Sequence, residues 1–201
     1  YEILRCLVGS EMCIRDSIHT EGITHISATD IKYAKAMGRA IKLLATSKKT
    51  DGGYVAMVAP FLLPKEHPLY NVNGVFNAIF VRGNVLGDAM FYGSGAGKLP
   101  TASAVVADVV EMAKNLDKNI PVEWSSKKLE LVDYRSAKNR FFVRVSGTDK
   151  TFVEKVFGNV EYIDAQGVTG ELGFVTEVMT EEALENKKAA YGEVLNVIRV
   201  A

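Results

Sequence analysis

Phe91-Tyr-Gly-Ser-Gly-Ala-Gly-Lys-Leu-Pro-Thr-Ala-Ser-Ala-Val-Val-Ala-Asp-Val-Val110 reads as strand, glycine loop, helix, and the rest of the chain is organised around it. Gly93, Gly95 and Gly97 alternate. Lacking a Cβ, they permit positive φ and close approach of another molecule to the backbone. Pro100 suits the first turn of a helix, where a missing N–H costs nothing. Ala102, Val105, Val106, Val109, Val110 and Ala113 recur at helical spacing and predict a helix over 100–117. Its free N–H groups and positive dipole end favour an anion such as a phosphate. The loop is not a Walker A motif, because Leu99 stands where Ser or Thr is needed. Nor is it the dinucleotide fingerprint, whose final glycine position holds Lys98. On pattern alone, a ligand-free strand-to-helix turn stays equally open.

Upstream, alternating apolar runs are separated by turn residues. Ser27-Ala-Thr-Asp30 has the form of a capping box, and Ile31, Ala34 and Met37 give a short helix one apolar face before Gly38. Strands are expected at 41–48 and 54–63 around the turn Thr50-Asp-Gly-Gly53, and again at 75–81 and 85–92. Pro60 implies a sheet edge or a bulge in its strand. Successive hairpins predict about four antiparallel strands with helices on one face. His67, between Pro64 and Pro68, reads as a solvated loop histidine, and Asn73 and Asn77 as turn and capping residues.

Downstream, 119–139 is polar, carries the lone Trp124, and reads as a linker. From 140 the order is strand (140–146), helix (148–157), strand (160–165), strand (172–178), helix (180–191), strand (194–200). That βαββαβ order is a split βαβ sandwich. At this size it sits near the lower limit for independent stability, so it is expected to pair with itself or with the rest of the chain. The fold class expected is α+β, a mostly antiparallel sheet with helices on one face followed by a small βαββαβ domain.

Zero net charge over 201 residues argues against a nucleic-acid or anionic-membrane surface, and no apolar run reaches the length of a membrane span. Cys6 and Cys13 are the only cysteines, which suits a cytoplasmic protein without a disulfide framework. His19, His25 and His67 in a body without cysteine make a zinc site improbable, and no metal site is expected. Residues 1–17 follow no clean period. Within them, Leu7-Val-Gly-Ser-Glu-Met-Cys-Ile-Arg-Asp16 looks like a translated sequencing-adapter string. The expectation is a non-native head and a natural protein that continues upstream.

Three blocks carry a family resemblance: Glu21-Gly-Ile-Thr-His-Ile-Ser27 through Ile41-Lys-Leu-Leu-Ala45; His67-Pro-Leu with Val72-Asn-Gly-Val-Phe-Asn-Ala78; and, most specific, Met90 to Asp108. Together they resemble the substrate and dimerisation domain of homoserine dehydrogenase. The tail resembles an ACT domain. The resemblance covers about residues 18–201, divided as 18–118, linker 119–139 and ACT domain 140–201. It implies reduction of L-aspartate 4-semialdehyde to L-homoserine with NADP or NAD as cofactor, in threonine, methionine and isoleucine biosynthesis. It implies a homodimer, a possible amino-acid effector on the tail, and Gly93, Gly95, Gly97 and Thr101 beside the cofactor. It also implies that helix 100–117 packs on a nucleotide-binding domain, so an exposed apolar patch is expected there. The family's dinucleotide glycine motif, its Asp-x-x-x-Lys catalytic pair, its substrate-binding Glu and its sodium-site residues have no counterpart here. No catalytic residue is assigned, and Asp30 lacks that spacing. In the ACT-like tail, Thr151 stands where the family's ligand-side glycine is usual. The alternative is a non-catalytic amino-acid-sensing module on a dimerising sheet.

Overall fold

The computed structural model describes residues 18–50, 52–95, 97–118 and 130–201. The head at 1–17, Asp51 of the expected turn, Ala96 of the glycine loop, and 119–129 with Trp124 lie outside the described residues. Contacts divide the chain into two compact units, whose described parts are 18–64 with 130–201, and 65–118.

The first unit contains β1 (His19–Thr20), α1 (Ala28–Ala36), β2 (Arg39–Thr50) and β3 (Gly53–Pro64). From the tail it takes β6 (Lys138–Ser146), α3 (Lys150–Phe157), β7 (Val160–Ile163), β8 (Glu171–Thr176), β9 (Met179–Thr180), α4 (Glu181–Tyr191) and β10 (Val194–Val200). One eight-stranded sheet runs β1-β3-β10-β6-β8-β7, with β2 on β3 and β9 on β6. β1 and β10 both lie parallel to β3, and the other pairs are antiparallel. The class is therefore α+β with a mixed sheet. Within the tail the spatial order β10-β6-β8-β7 is that of a split βαβ.

Two expectations are corrected here. β2 and β3 pair without a register shift from Arg39↔Pro64 to Thr50↔Gly53, so Pro60 makes no bulge, and β3 is an interior strand. On its far edge β1 pairs with Met57 and Val58, and β10 with Phe61 and Leu62. Pro60 falls at that changeover, where no ladder partner needs its N–H. The helices also occupy both faces of the sheet. Phe141, Val143, Val145 and Phe174 pack under Val153 and Phe157 of α3 and Leu184 of α4. Phe142, Val175, Ile198 and Leu62 pack under Tyr33 and Ala34 of α1. Consecutive strand residues point to opposite faces, so the run Phe141-Phe142-Val143 must be covered on both sides. Each such phenylalanine, fully buried, contributes about 1.5–3 kcal/mol.

Helix ends follow the sequence. Ser27 and Asp30 form a reciprocal capping box on α1, Asp149 caps α3 through the Phe152 N–H, and Thr180 caps α4 through the Ala183 N–H. The described part of the expected linker is structured. Leu131 bridges to Tyr54, a 3-10 turn covers Tyr134–Ser136, and the Tyr134 ring stacks on His19 at 3.8 Å.

The second unit contains a 3-10 turn (Pro68–Asn71), β4 (Phe76–Gly83), β5 (Gly87–Ser94) and α2 (Lys98–Lys114). Among the described residues β4 and β5 pair only with each other, from Phe76↔Ser94 to Gly83↔Gly87. The four-stranded antiparallel arrangement expected from successive hairpins is therefore replaced. β1 and β10 hold the edge of β3 that further strands would have used.

Candidate functional site: the glycine loop and two arginine clusters

β5 carries Gly93 to the mouth of the loop, and Gly97, at φ 120°, enters α2 as its N-cap. No side chain caps α2, and the Thr101 N–H donates to the Gly97 carbonyl at 3.2 Å. The four residues expected beside a cofactor thus lie along one strand-to-helix turn. Their steric demands differ. A Cβ on Gly95 would meet the Asn77 amide, and one on Gly97 would touch the Pro100 ring at 3.4 Å. A Cβ on Gly93 would meet nothing within 4 Å. Open space beside Gly93 and an uncapped 17-residue helix suit a phosphate-bearing ligand held by backbone N–H groups.

No residue of α2 is buried. Val106 and Val109 are each 60% exposed and Met112 70%, which is the apolar patch expected on this helix. His67 has a structural role. Its Nδ1 accepts from the Leu69 N–H at 3.1 Å at the start of the 3-10 turn, and its ring meets Phe80 edge-on. Burial, aided by the Arg82 charge, lowers its pKa and favours the neutral ring that this bond requires. Asn73 donates to the Asn71 carbonyl and Asn77 to that of Val75, both local turn contacts.

The strongest electrostatics lie in the first unit, around two arginines that sequence reading passed over. Arg144 of β6 donates to both oxygens of Glu171 at 2.8 and 2.7 Å, to Asp30 at 2.8 Å and to the Ser27 hydroxyl at 2.9 Å. Arg199 of β10 donates to both oxygens of Glu181 at 2.7 and 2.9 Å and to both of Glu21 at 2.9 and 2.8 Å. Burial would raise the Glu21 carboxyl, but hydrogen bonds from Arg199 and His19 outweigh it and hold its pKa at about 2. Asp30 is lowered in the same way, burial being overcome by Ser27 and Arg144. Burial, then Glu171, pushes the Tyr33 hydroxyl up to about 12. Every buried side-chain polar atom among the described residues has a partner. These clusters are therefore saturated and structural. The signal for them was legible: an arginine inside each apolar strand, Phe-Phe-Val-Arg144-Val and Val-Ile-Arg199-Val. Asp30, spent on Arg144 and on the α1 cap, is not available as a catalytic acid.

Comparison with known proteins bears on the whole of this arrangement. The sequence model of the family described as Homoserine dehydrogenase matches residues 2–110, which takes in the glycine loop and begins inside the head. A Corynebacterium glutamicum homoserine dehydrogenase is 42% identical over 145 residues, covering 69% of this chain and 33% of that protein. A Synechocystis homoserine dehydrogenase is 38% identical over 164 residues, covering 79% and 36%. Among solved structures, a homoserine dehydrogenase from Thiobacillus denitrificans superposes with TM-score 0.77 at 25% identity, over 92% of this chain and 48% of that one. The S. aureus homoserine dehydrogenase at pH 6.0 gives TM-score 0.69 at 30% identity, over 94% and 49%. The chain spans about a third of the length of the curated relatives it matches and about half of the solved chains. The chain belongs to the homoserine dehydrogenase family.

Proposed function

We propose that this chain forms the substrate-side part of an NAD(P)-dependent homoserine dehydrogenase, a cytoplasmic enzyme that reduces L-aspartate 4-semialdehyde to L-homoserine. The observation that carries the reading is the family match across the glycine loop. When bound, NADPH or NADH supplies the hydride. The chain's own contribution is positional: backbone at Gly93, Gly95 and Gly97, with Thr101 in the first turn of α2, lines the cofactor. The exposed valine face of α2 is the surface on which a nucleotide-binding domain packs. The sequence divisions 18–118, 119–139 and 140–201 are proposed as the inherited segments, with homodimerisation through the first. No proton donor is proposed in this chain. The test joins residues 18–201 behind the N-terminal part of the Corynebacterium glutamicum relative. The folded fusion is expected to oxidise NADPH or NADH in the presence of aspartate semialdehyde, while the 201-residue chain alone turns over nothing. A folded, inactive fusion, or an active chain alone, counts against the reading.

The second reading is that the tail is an ACT domain sensing an amino acid. The strand order β10-β6-β8-β7 supports the architecture. Asp149 counts against a ligand carboxylate at α3, because its own carboxylate already holds the Phe152 N–H at 3.0 Å. Calorimetry of threonine against the fusion decides it; no heat at millimolar threonine leaves a structural tail.

A further inference from the structure

Residues 21–36 are pinned to the tail at three places. Glu21 lies on Arg199 of β10, Asp30 on Arg144 of β6, and the Tyr33 ring against Gly173 of β8, leaving no room there for a Cβ. Both arginines are also held from the tail side, by Glu181 and Glu171. The guanidinium of Arg144 sits 5.9 Å from the Tyr33 ring centroid, so the second and third contacts touch. Backbone pairing across the same junction, among the described residues, falls in two short stretches. β3 and β10 register at Arg199↔Phe61 and Val200↔Leu62, extended by the Ala201 N–H to the Leu62 carbonyl, and Tyr54 donates to the Glu130 carbonyl and accepts from the Val132 N–H.

We propose that these contacts are a latch that makes residues 18–64 and 130–201 one cooperative unit. The tail is then not a detachable module, and a change at β8 or α4 is transmitted to residues 21–36. Charge-assisted bidentate bonds are the strong class of hydrogen bond. With Asp30 at 0%, Arg199 at 4% and Arg144 at 7% exposure, losing one member while the others stay buried is expensive. Partial opening of the front is therefore disfavoured relative to unfolding of the whole. This goes beyond the proposed enzyme and does not rest on it, since it concerns how the chain holds together whatever it binds.

The test is amide hydrogen exchange by mass spectrometry on the full chain across a urea series. The slowest amides of α1 and those of β6 and β8 are expected to converge on one opening free energy and one urea dependence. Two separate values overturn the proposal. The second arm is Glu21→Gln, which leaves Arg199 paired to Glu181 and the capping box of α1 intact. Protection at residues 21–36 is expected to fall at least tenfold further than in β6 and β8. Equal loss in both regions, or none, overturns the latch.

Discussion

Arg199 donates through Nη1 and Nη2 to the two oxygens of Glu21, at 2.9 and 2.8 Å, across 178 residues of sequence. Nε and Nη2 of the same guanidinium serve both oxygens of Glu181. One cation thus holds the start of the described chain to the last strand and to the first turn of α4.

Arg199→Met removes that cation and leaves Glu181, 3% exposed, with Asn139 as its remaining side-chain donor among the described residues. Loss of one member of a buried ion pair costs about 3–5 kcal/mol. The urea midpoint should fall accordingly, with the slope unchanged.

Acid should weaken the same unit. The Glu21 carboxyl, at 4.5 when unperturbed, is depressed to about 2 in the fold. A carboxyl depressed by folding contributes stability that is present above its unfolded pKa and is lost as pH falls through the folded one. Asp30 shifts in the same direction. Thermal stability should therefore decline as pH falls from about 4.5 towards 2, and Glu21→Gln should flatten that decline.

Gly173→Ala places a methyl where the Tyr33 ring lies. Neither backbone can retreat without breaking the β6–β8 ladder or the α1 packing. Overpacking of this kind costs about 1–3 kcal/mol. Gly147→Ala is a control for strain alone, because it has positive φ but open space around it. Urea unfolding of the pair separates crowding from backbone strain.

Gly93 and Gly97 offer a separation of ligand from fold. Gly97→Ala forces a side chain into φ 120° and should destabilise the entry to α2 by about 1–3 kcal/mol. Gly93→Ala meets neither positive φ nor a neighbour and should leave stability unchanged. In the active fusion it should nevertheless raise KM for NADPH. An unchanged KM would remove Gly93 from the cofactor site.

Replacing Val106 and Val109 by Glu and Lys should lower self-association of the chain, read by light scattering, because both side chains are 60% exposed. Urea unfolding read at Tyr33 and Tyr162 should not change, since α2 contributes no buried residue.

What the sequence determined by itself was local. Period, caps and turn residues located β2 and β3 around their turn, the β4–β5 hairpin, the glycine entry to α2, and the βαββαβ order of the tail, because each depends on residues within a few positions of one another. The resemblance rested on the same contiguous stretches. Tertiary structure alone decided that β3 lies between β2 on one edge and β1 and β10 on the other, that Pro60 is tolerated inside the sheet, and that helices cover both faces. It alone matched Arg144 and Arg199 with carboxylates more than a hundred residues away. Strand partners and buried counter-ions are chosen by burial across the whole chain, and no spacing along a sequence encodes which distant carboxylate a buried arginine will meet.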